Sequence, residues 1–286
     1  MIRWLLISRL LRKHNRLIKK EWVHVTWGFK NRLNKILPNG RAVMLAIDHG
    51  YFLGPISGLE KPGETVKELL PYTDSLYLTR GTLASCIPED TEKPMVLRVS
   101  GGPTVLNDLS NETIVTSMKE AVRHNVVGVG VSVFVGSKHE TQTITNLAHV
   151  VSEAHDYGLP VLGITAVGKE LEKRDTRFLA LASRVTAEMG ADIVKTYYCE
   201  NFEQVTSKCP VPIVIAGGPK FDTIKEALEI TYNAMNQGAA GVDMGRNIWQ
   251  SAQPTAMIRA IHAIVKEGFT VKEAVELYEN CAEVRA

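Results

Sequence analysis

Eight short apolar runs, rich in β-branched residues, recur from Arg41 onward and alternate with longer amphipathic stretches, and this alternation limits the fold more than any other feature of the chain. The runs cover 42–48, 74–79, 95–100, 126–135, 160–166, 191–197, 211–216 and 240–245. Most are apolar at nearly every position, as strands buried on both faces must be, whereas the half-wetted strands of a sandwich would alternate. Helix-patterned stretches lie between them at 64–70, 111–124, 141–157, 175–189, 203–207 and 222–237, and two more, 255–268 and 271–279, end the chain. Asn125, Gly158, Gly190 and Gly238 stand where those helices call for a left-handed cap. Eight strand–helix units predict an α/β protein, a (β/α)₈ barrel, folded as one domain over residues 26–286.

Such a barrel places its chemistry at the C-terminal ends of the strands, so polar residues there become candidates. In Ala191-Asp192-Ile193-Val194-Lys195-Thr196-Tyr197, the strand period of two puts Ile193, Lys195 and Tyr197 on one face. If Ile193 faces the interior, so does Lys195. Desolvation there would lower the lysine's pKa and free the lone pair that attacks a carbonyl. The strand pattern fits equally well a lysine held in an ion pair with Asp48 or another acid. Asp48 shares the face of Met44 and Ala46 and enters the same mouth, where a carboxylate can move protons. His49 has the opposite parity and reads as loop support.

Two glycine sites suit a phosphate. Gly217-Gly218 closes the seventh run, and Gly245-Arg246 closes the eighth before a potential short helix. Loops after strands seven and eight commonly hold a phosphate through backbone N–H groups, and Arg246 would add a charged fork. Ser100-Gly101-Gly102, after the third run, is a third permissive loop expected at the same opening.

Cys86, Cys199, Cys209 and Cys281 are scattered without metal-finger or C-x-x-C spacing, so neither a structural metal nor a disulfide framework is expected. No run approaches the roughly 18 apolar residues of a membrane span, and a cytoplasmic protein is the simplest expectation. Beyond residue 24 acids outnumber bases, which leaves no basic footprint for nucleic acid.

Asp48-His49-Gly50, Val194-Lys195-Thr196, Ala216-Gly217-Gly218 and Gly245-Arg246-Asn247 together resemble the archaeal-type class I aldolase family. A closer likeness, to the family's thiolase branch, runs from about Trp27 to Tyr278 and includes Gly58-Leu59-Glu60, Thr79-Arg80-Gly81, Val167-Gly168-Lys169 and Cys209-Pro210-Val211-Pro212. The family resemblance implies a Schiff-base lysine on strand six at Lys195, an acid–base aspartate at Asp48, and a phosphate site at the two glycine loops. Aldolase members carry a tyrosine acid after strand five, where this chain reads Ile164-Thr165-Ala166-Val167-Gly168-Lys169, although Tyr197 or Tyr51 is available to substitute. That departure points to the family's thiolase branch, which works in autoinducer-2 breakdown. The resemblance then implies transfer of an acetyl group from a phosphorylated hydroxydiketone to coenzyme A, a co-substrate, with no bound cofactor. The alternative is a Schiff-base aldolase acting on a sugar phosphate such as fructose 1,6-bisphosphate. A third reading is a barrel that only binds sugar phosphate. Family members form ring-based homo-oligomers, often decamers. Cys199 reads as a small loop residue, because coenzyme A brings its own thiol.

Residues 1–25 stand apart as a basic leader, with seven Lys/Arg against Glu21. Trp4-Leu5-Leu6-Ile7, Leu10-Leu11 and Leu17-Ile18 recur at roughly helical spacing among the cations, as in a helix lying on a membrane or a partner. Lys19-Lys20-Glu21-Trp22 also back-translates into a purine-rich stretch in which Lys20-Glu21-Trp22 reads AAGGAGTGG, resembling a bacterial ribosome-binding site, with Val25 as a GTG start. The leader is therefore expected to be translated upstream sequence or an inert tail. N-terminal mass spectrometry of the native protein checks the first of these: a chain starting at position 25 is expected, and one starting at Met1 overturns it.

Overall fold

The computed structural model describes residues 26–166 and 174–283, so the leader and the Val167-Gly168-Lys169 motif lie outside the described residues. Eight parallel strands close into a barrel: β1 Ala42–Ala46, β2 Ser75–Leu78, β3 Met95–Arg98, β4 Gly128–Val133, β5 Val161–Thr165, β6 Ile193–Tyr197, β7 Ile213–Ala216 and β8 Gly241–Met244. Each strand pairs with its sequence neighbours, and β8 returns to β1 with Asp243 beside Met44. Every strand falls inside one of the eight apolar runs.

Alternation along the strands divides the apolar residues into two layers. Met44, Ala46, Tyr77, Val96, Leu162, Ile193 and Val214 fill the barrel, and Ile36 and Leu37 close it from below. Val43, Leu45, Leu76, Leu97, Val129, Val161, Val194, Ile215 and Val242 point outward under the helices. Both faces of each strand are dry, which explains the near-continuous apolar runs.

Helix termini follow local chemistry. Asp175 accepts from Phe178 N to start Thr176–Glu188, and Thr223 with Glu226 forms a capping box at Ile224–Asn236. Asn125, Gly158, Gly190 and Gly238 all take positive φ, as their cap positions require.

The expected helix at 111–124 is corrected. Its first residues form a two-stranded antiparallel ribbon, Ser100–Gly101 against Thr113–Ile114, and the helix covers only Met118–Arg123. Ser117 caps that helix by accepting from Glu120 N, while Glu112 turns inward to meet Arg98. Helices Trp27–Ile36 and Arg80–Cys86 appear where none was expected. Among the described residues no helix is long and apolar enough to cross a membrane.

Packing is tightest where a strand lacks a side chain. A Cβ on Gly163 of β5 would overlap Thr186 Cγ2 and lie 3.0 Å from Ala191 Cβ. Gly163→Ala is therefore expected to cost about 1–3 kcal/mol in urea unfolding. Thr186→Ser, which removes the clashing methyl, should recover at least part of that loss, and equal penalties in both backgrounds would show that this contact is not the cause.

Candidate active site

The barrel opens at the C-terminal strand ends into a cavity of about 270 Å³. Lys195, from β6, and Asp243, from β8, meet at its floor with Nζ and Oδ2 2.8 Å apart. The two side chains are 10% and 0% exposed. Lys195 Nζ also lies 5.2 Å from the centroid of the buried Tyr77 ring. Lys195 thus faces inward with Ile193, and its ion-pair partner is Asp243 rather than Asp48. No hydrogen-bond donor among the described residues reaches Asp243 Oδ1. Burial raises the Asp243 carboxyl above its usual range, and Lys195 only partly offsets it.

Asp48 follows β1 and accepts from Arg98 Nη1 at 2.6 Å. Burial alone would raise its carboxyl, but Arg98, His49 and Lys195 together outweigh that and hold it below the ordinary range. Arg98 is itself fixed on several sides. Its Nη2 donates to Glu112, to Tyr51 Oη at 2.9 Å and to Ser132 Oγ at 2.8 Å, and its Nε donates to Ser100 O at 3.0 Å.

This network corrects the expectation for the third loop. The Ser100 hydroxyl donates to Glu112 and accepts from Ser132 N. Gly101 packs on Tyr51, and Gly102 borders a separate open depression outside the barrel. None of the three lines the central cavity. The Tyr51 hydroxyl is likewise engaged, donating to Glu112 at 2.6 Å.

Gly217, Gly218, Gly245 and Arg246 do line the cavity. Asn247 fastens the β7 loop, donating from Nδ2 to Gly217 O at 2.9 Å and Pro219 O at 3.1 Å while accepting from Phe221 N. Arg174, which precedes the Thr176–Glu188 helix, enters the same mouth. Cys199 lies elsewhere, in the layer under the helices, where burial pushes its thiol up. β6 ends at Tyr197, so strand parity does not carry Cys199 onto the face of Lys195. Among the described residues no group of three His, Cys, Asp or Glu side chains could hold a metal ion.

Asp243, Arg98, Glu112 and Arg174 were not singled out from the sequence. A signal existed for the first two: a charged residue inside a strand that is dry on both faces can only point into the barrel or its mouth.

Together, the barrel and its buried lysine define an aldolase-type enzyme. The chain belongs to the DeoC/LacD family of aldolases, whose family model matches residues 42–251. It is 49% identical over 255 residues to an uncharacterized aldolase of Pasteurella multocida, covering 88% of this chain and 87% of that protein. The same figures hold for the 3-hydroxy-5-phosphonooxypentane-2,4-dione thiolase of Photorhabdus laumondii. An archaeal fructose-1,6-bisphosphate aldolase, solved with its catalytic Lys covalently bound to a carbinolamine intermediate, superposes with a TM-score of 0.74 at 26% identity. The match covers 83% of this chain and 99% of that one.

His49 offers a test of the site's electrostatics. Its ring lies edge-on to Trp249 at 5.5 Å, with Nδ1 3.5 Å from Asp48 Oδ1. Burial lowers its pKa to about 4; Asp48 opposes the shift, while Lys195, Arg246 and Arg98 reinforce it. An unfolded histidine titrates near 6.5, so between about pH 4 and 6.5 the unfolded chain binds the extra proton and stability rises with pH. His49→Gln is expected to flatten that slope by up to about 3 kcal/mol in urea unfolding across this window. An unchanged slope would mean that the imidazole is not held neutral.

Proposed function

We propose that this enzyme transfers the acetyl group of 3-hydroxy-5-phosphonooxypentane-2,4-dione to coenzyme A, giving acetyl-CoA and dihydroxyacetone phosphate in autoinducer-2 breakdown. One observation carries the reading: a buried lysine on β6, beside a carboxylate, in a chain 49% identical to proteins named as that thiolase.

The residues present support each step. Lys195 passes a proton to Asp243, and its lone pair attacks the C4 ketone; Asp243 hands that proton to the departing oxygen, which leaves as water and gives a protonated imine. The coenzyme A thiolate adds to the C2 carbonyl. As that adduct collapses, the C2–C3 bond breaks and its electron pair moves into the imine, so acetyl-CoA departs and an enamine remains. C3 takes up the proton given by the thiol, and water releases dihydroxyacetone phosphate from Lys195. Asp48, ionised and held by Arg98, is the base that carries the thiol proton to C3. Gly217, Gly218, Gly245 and Arg246 anchor the phosphate, which fixes the ketone over the lysine. Coenzyme A is the acceptor partner in this reading, no other cofactor is required, and the working form is a homo-oligomer of the family's decameric ring type.

The likeness to archaeal fructose-1,6-bisphosphate aldolases supports a second reading, in which the same imine serves an aldol reaction. Engagement of Tyr51 with Glu112 and the missing tyrosine after β5 weigh against it.

Product release from the phosphorylated hydroxydiketone, measured with and without coenzyme A, separates the readings. Release that requires coenzyme A is expected; aldehyde-dependent condensation would favour the aldolase, and neither activity a binding protein. Lys195→Met should lower turnover by about a thousandfold or more with the fold intact. Cys199→Ser should keep acetyl transfer, and complete loss with an intact fold would make that thiol a participant.

A further inference from the structure

Two arginines face the cavity mouth from different loops, and among the described residues neither has an ion-pair partner. Arg246 follows β8, and Arg174 comes from the β5–β6 connection. Among the described residues, neither buried Nε finds a hydrogen-bond acceptor. Arg174 is stacked on Tyr197, with Cζ 3.7 Å from the ring centroid. That contact restrains the guanidinium, so little freedom remains to be lost when it binds. Its Nη1 is so close to the β7 loop that a Cβ on Gly218 would lie 3.2 Å away. The two cations also feel one another: burial depresses the Arg246 guanidinium, Tyr197 opposes that shift, and the Arg174 charge adds to it.

Like charges brought together at a half-buried mouth are repulsive unless an anion lies between them. A single monoanion would leave one cation uncompensated, whereas a phosphate ester carries about −1.5 to −2 charge and three oxygens. Guanidinium groups match that shape with paired N–H donors.

We propose that Arg174 is the second arm of a phosphate clamp, opposing Arg246 across the Gly217-Gly218 loop, and that it gives this site its preference for a phosphorylated ketone. This rests on the reading of Lys195 as an imine-forming residue, and it adds a residue from the β5–β6 connection to a site otherwise built from the β7 and β8 loops. Because the ring beneath Arg174 belongs to β6, two residues beyond Lys195, the clamp and the reacting amine share one strand.

The test compares two ketones on the full-length protein. Borohydride reduces the imine of Lys195 with dihydroxyacetone or with dihydroxyacetone phosphate, and mass spectrometry reads the adduct. The ratio of half-saturating concentrations of the two ketones measures what the phosphate contributes. In Arg174→Gln that ratio should fall about tenfold to a hundredfold, with Arg174→Lys intermediate because it keeps the charge and loses the fork. Calorimetric titration with inorganic phosphate should show at least about a tenfold weaker affinity for Arg174→Gln than for the unaltered chain. If the ratio and the phosphate affinity both stay unchanged in a folded variant, Arg174 is not part of the clamp. If the unaltered protein traps neither ketone, the imine reading fails, and the phosphate titration alone then decides the role of Arg174.

Discussion

The ion pair between Lys195 and Asp243 sets the terms for the rest of the structure. It joins β6 to β8 over the intervening β7, with the aspartate fully buried and the lysine nearly so. Two charges leave water at a cost of several kcal/mol each, and only close mutual contact offsets it. Neither strand can slip by one residue without turning its charge into the outer apolar layer, so the pair fixes register as well as chemistry. In the proposed reaction it also sets how the lysine becomes a nucleophile. The strand pattern leaves open a desolvated neutral amine or an ion pair with an acid, and the structure supplies the acid, a proton acceptor 2.8 Å away.

The barrel interior is layered by polarity. Below, Met44, Val96, Leu162, Ile193 and Val214 form a dry plug sealed by Ile36 and Leu37. Above, Asp48, Arg98, Glu112, Lys195 and Asp243 occupy the strand ends and the loops just beyond them. Arg98 lies between two carboxylates, so the ribbon carrying Glu112 is tied to the aspartate after β1. Gly130, on β4, makes room for this arrangement: a Cβ there would run into the Tyr77 ring, which lies beneath the lysine.

The strand count and the inward face of Lys195 were legible because a two-residue period in a doubly buried strand needs only one reference residue, and Ile193 supplied it. Asp48 was legible through Met44 and Ala46 in the same way. Asp243 is less legible because the glycines bordering β8 mark the loop as the site, although a lone carboxylate among Val242 and Met244 has only the barrel interior to face. Glu112 was hidden more deeply. Its partner Arg98 is fourteen residues away, and the stretch around Glu112 carries a helical period that the pairing of Thr113–Ile114 with Ser100–Gly101 overrides. The Ser100 loop was misplaced for the same reason, since its hydroxyl is consumed by that buried carboxylate. Periodicity reports which face a residue takes, but not which distant charge claims it.

In the proposed mechanism Asp48 and Asp243, one residue type, fill two roles around a single amine. Both are buried, so desolvation pushes each carboxyl upward by the same mechanism. Asp48 has a guanidinium in direct contact and is carried below the ordinary range, whereas Asp243 has only the lysine and stays above it. In the proposed reaction a carboxylate held ionised suits taking a proton from a thiol, and a carboxyl held high suits taking the proton that the lysine gives up and handing it to the ketone oxygen as that leaves as water. Arg98 makes this division of labour possible although it lies at the edge of the reaction, and moving its charge from Asp48 to Asp243 would reverse the two roles without altering either carboxylate.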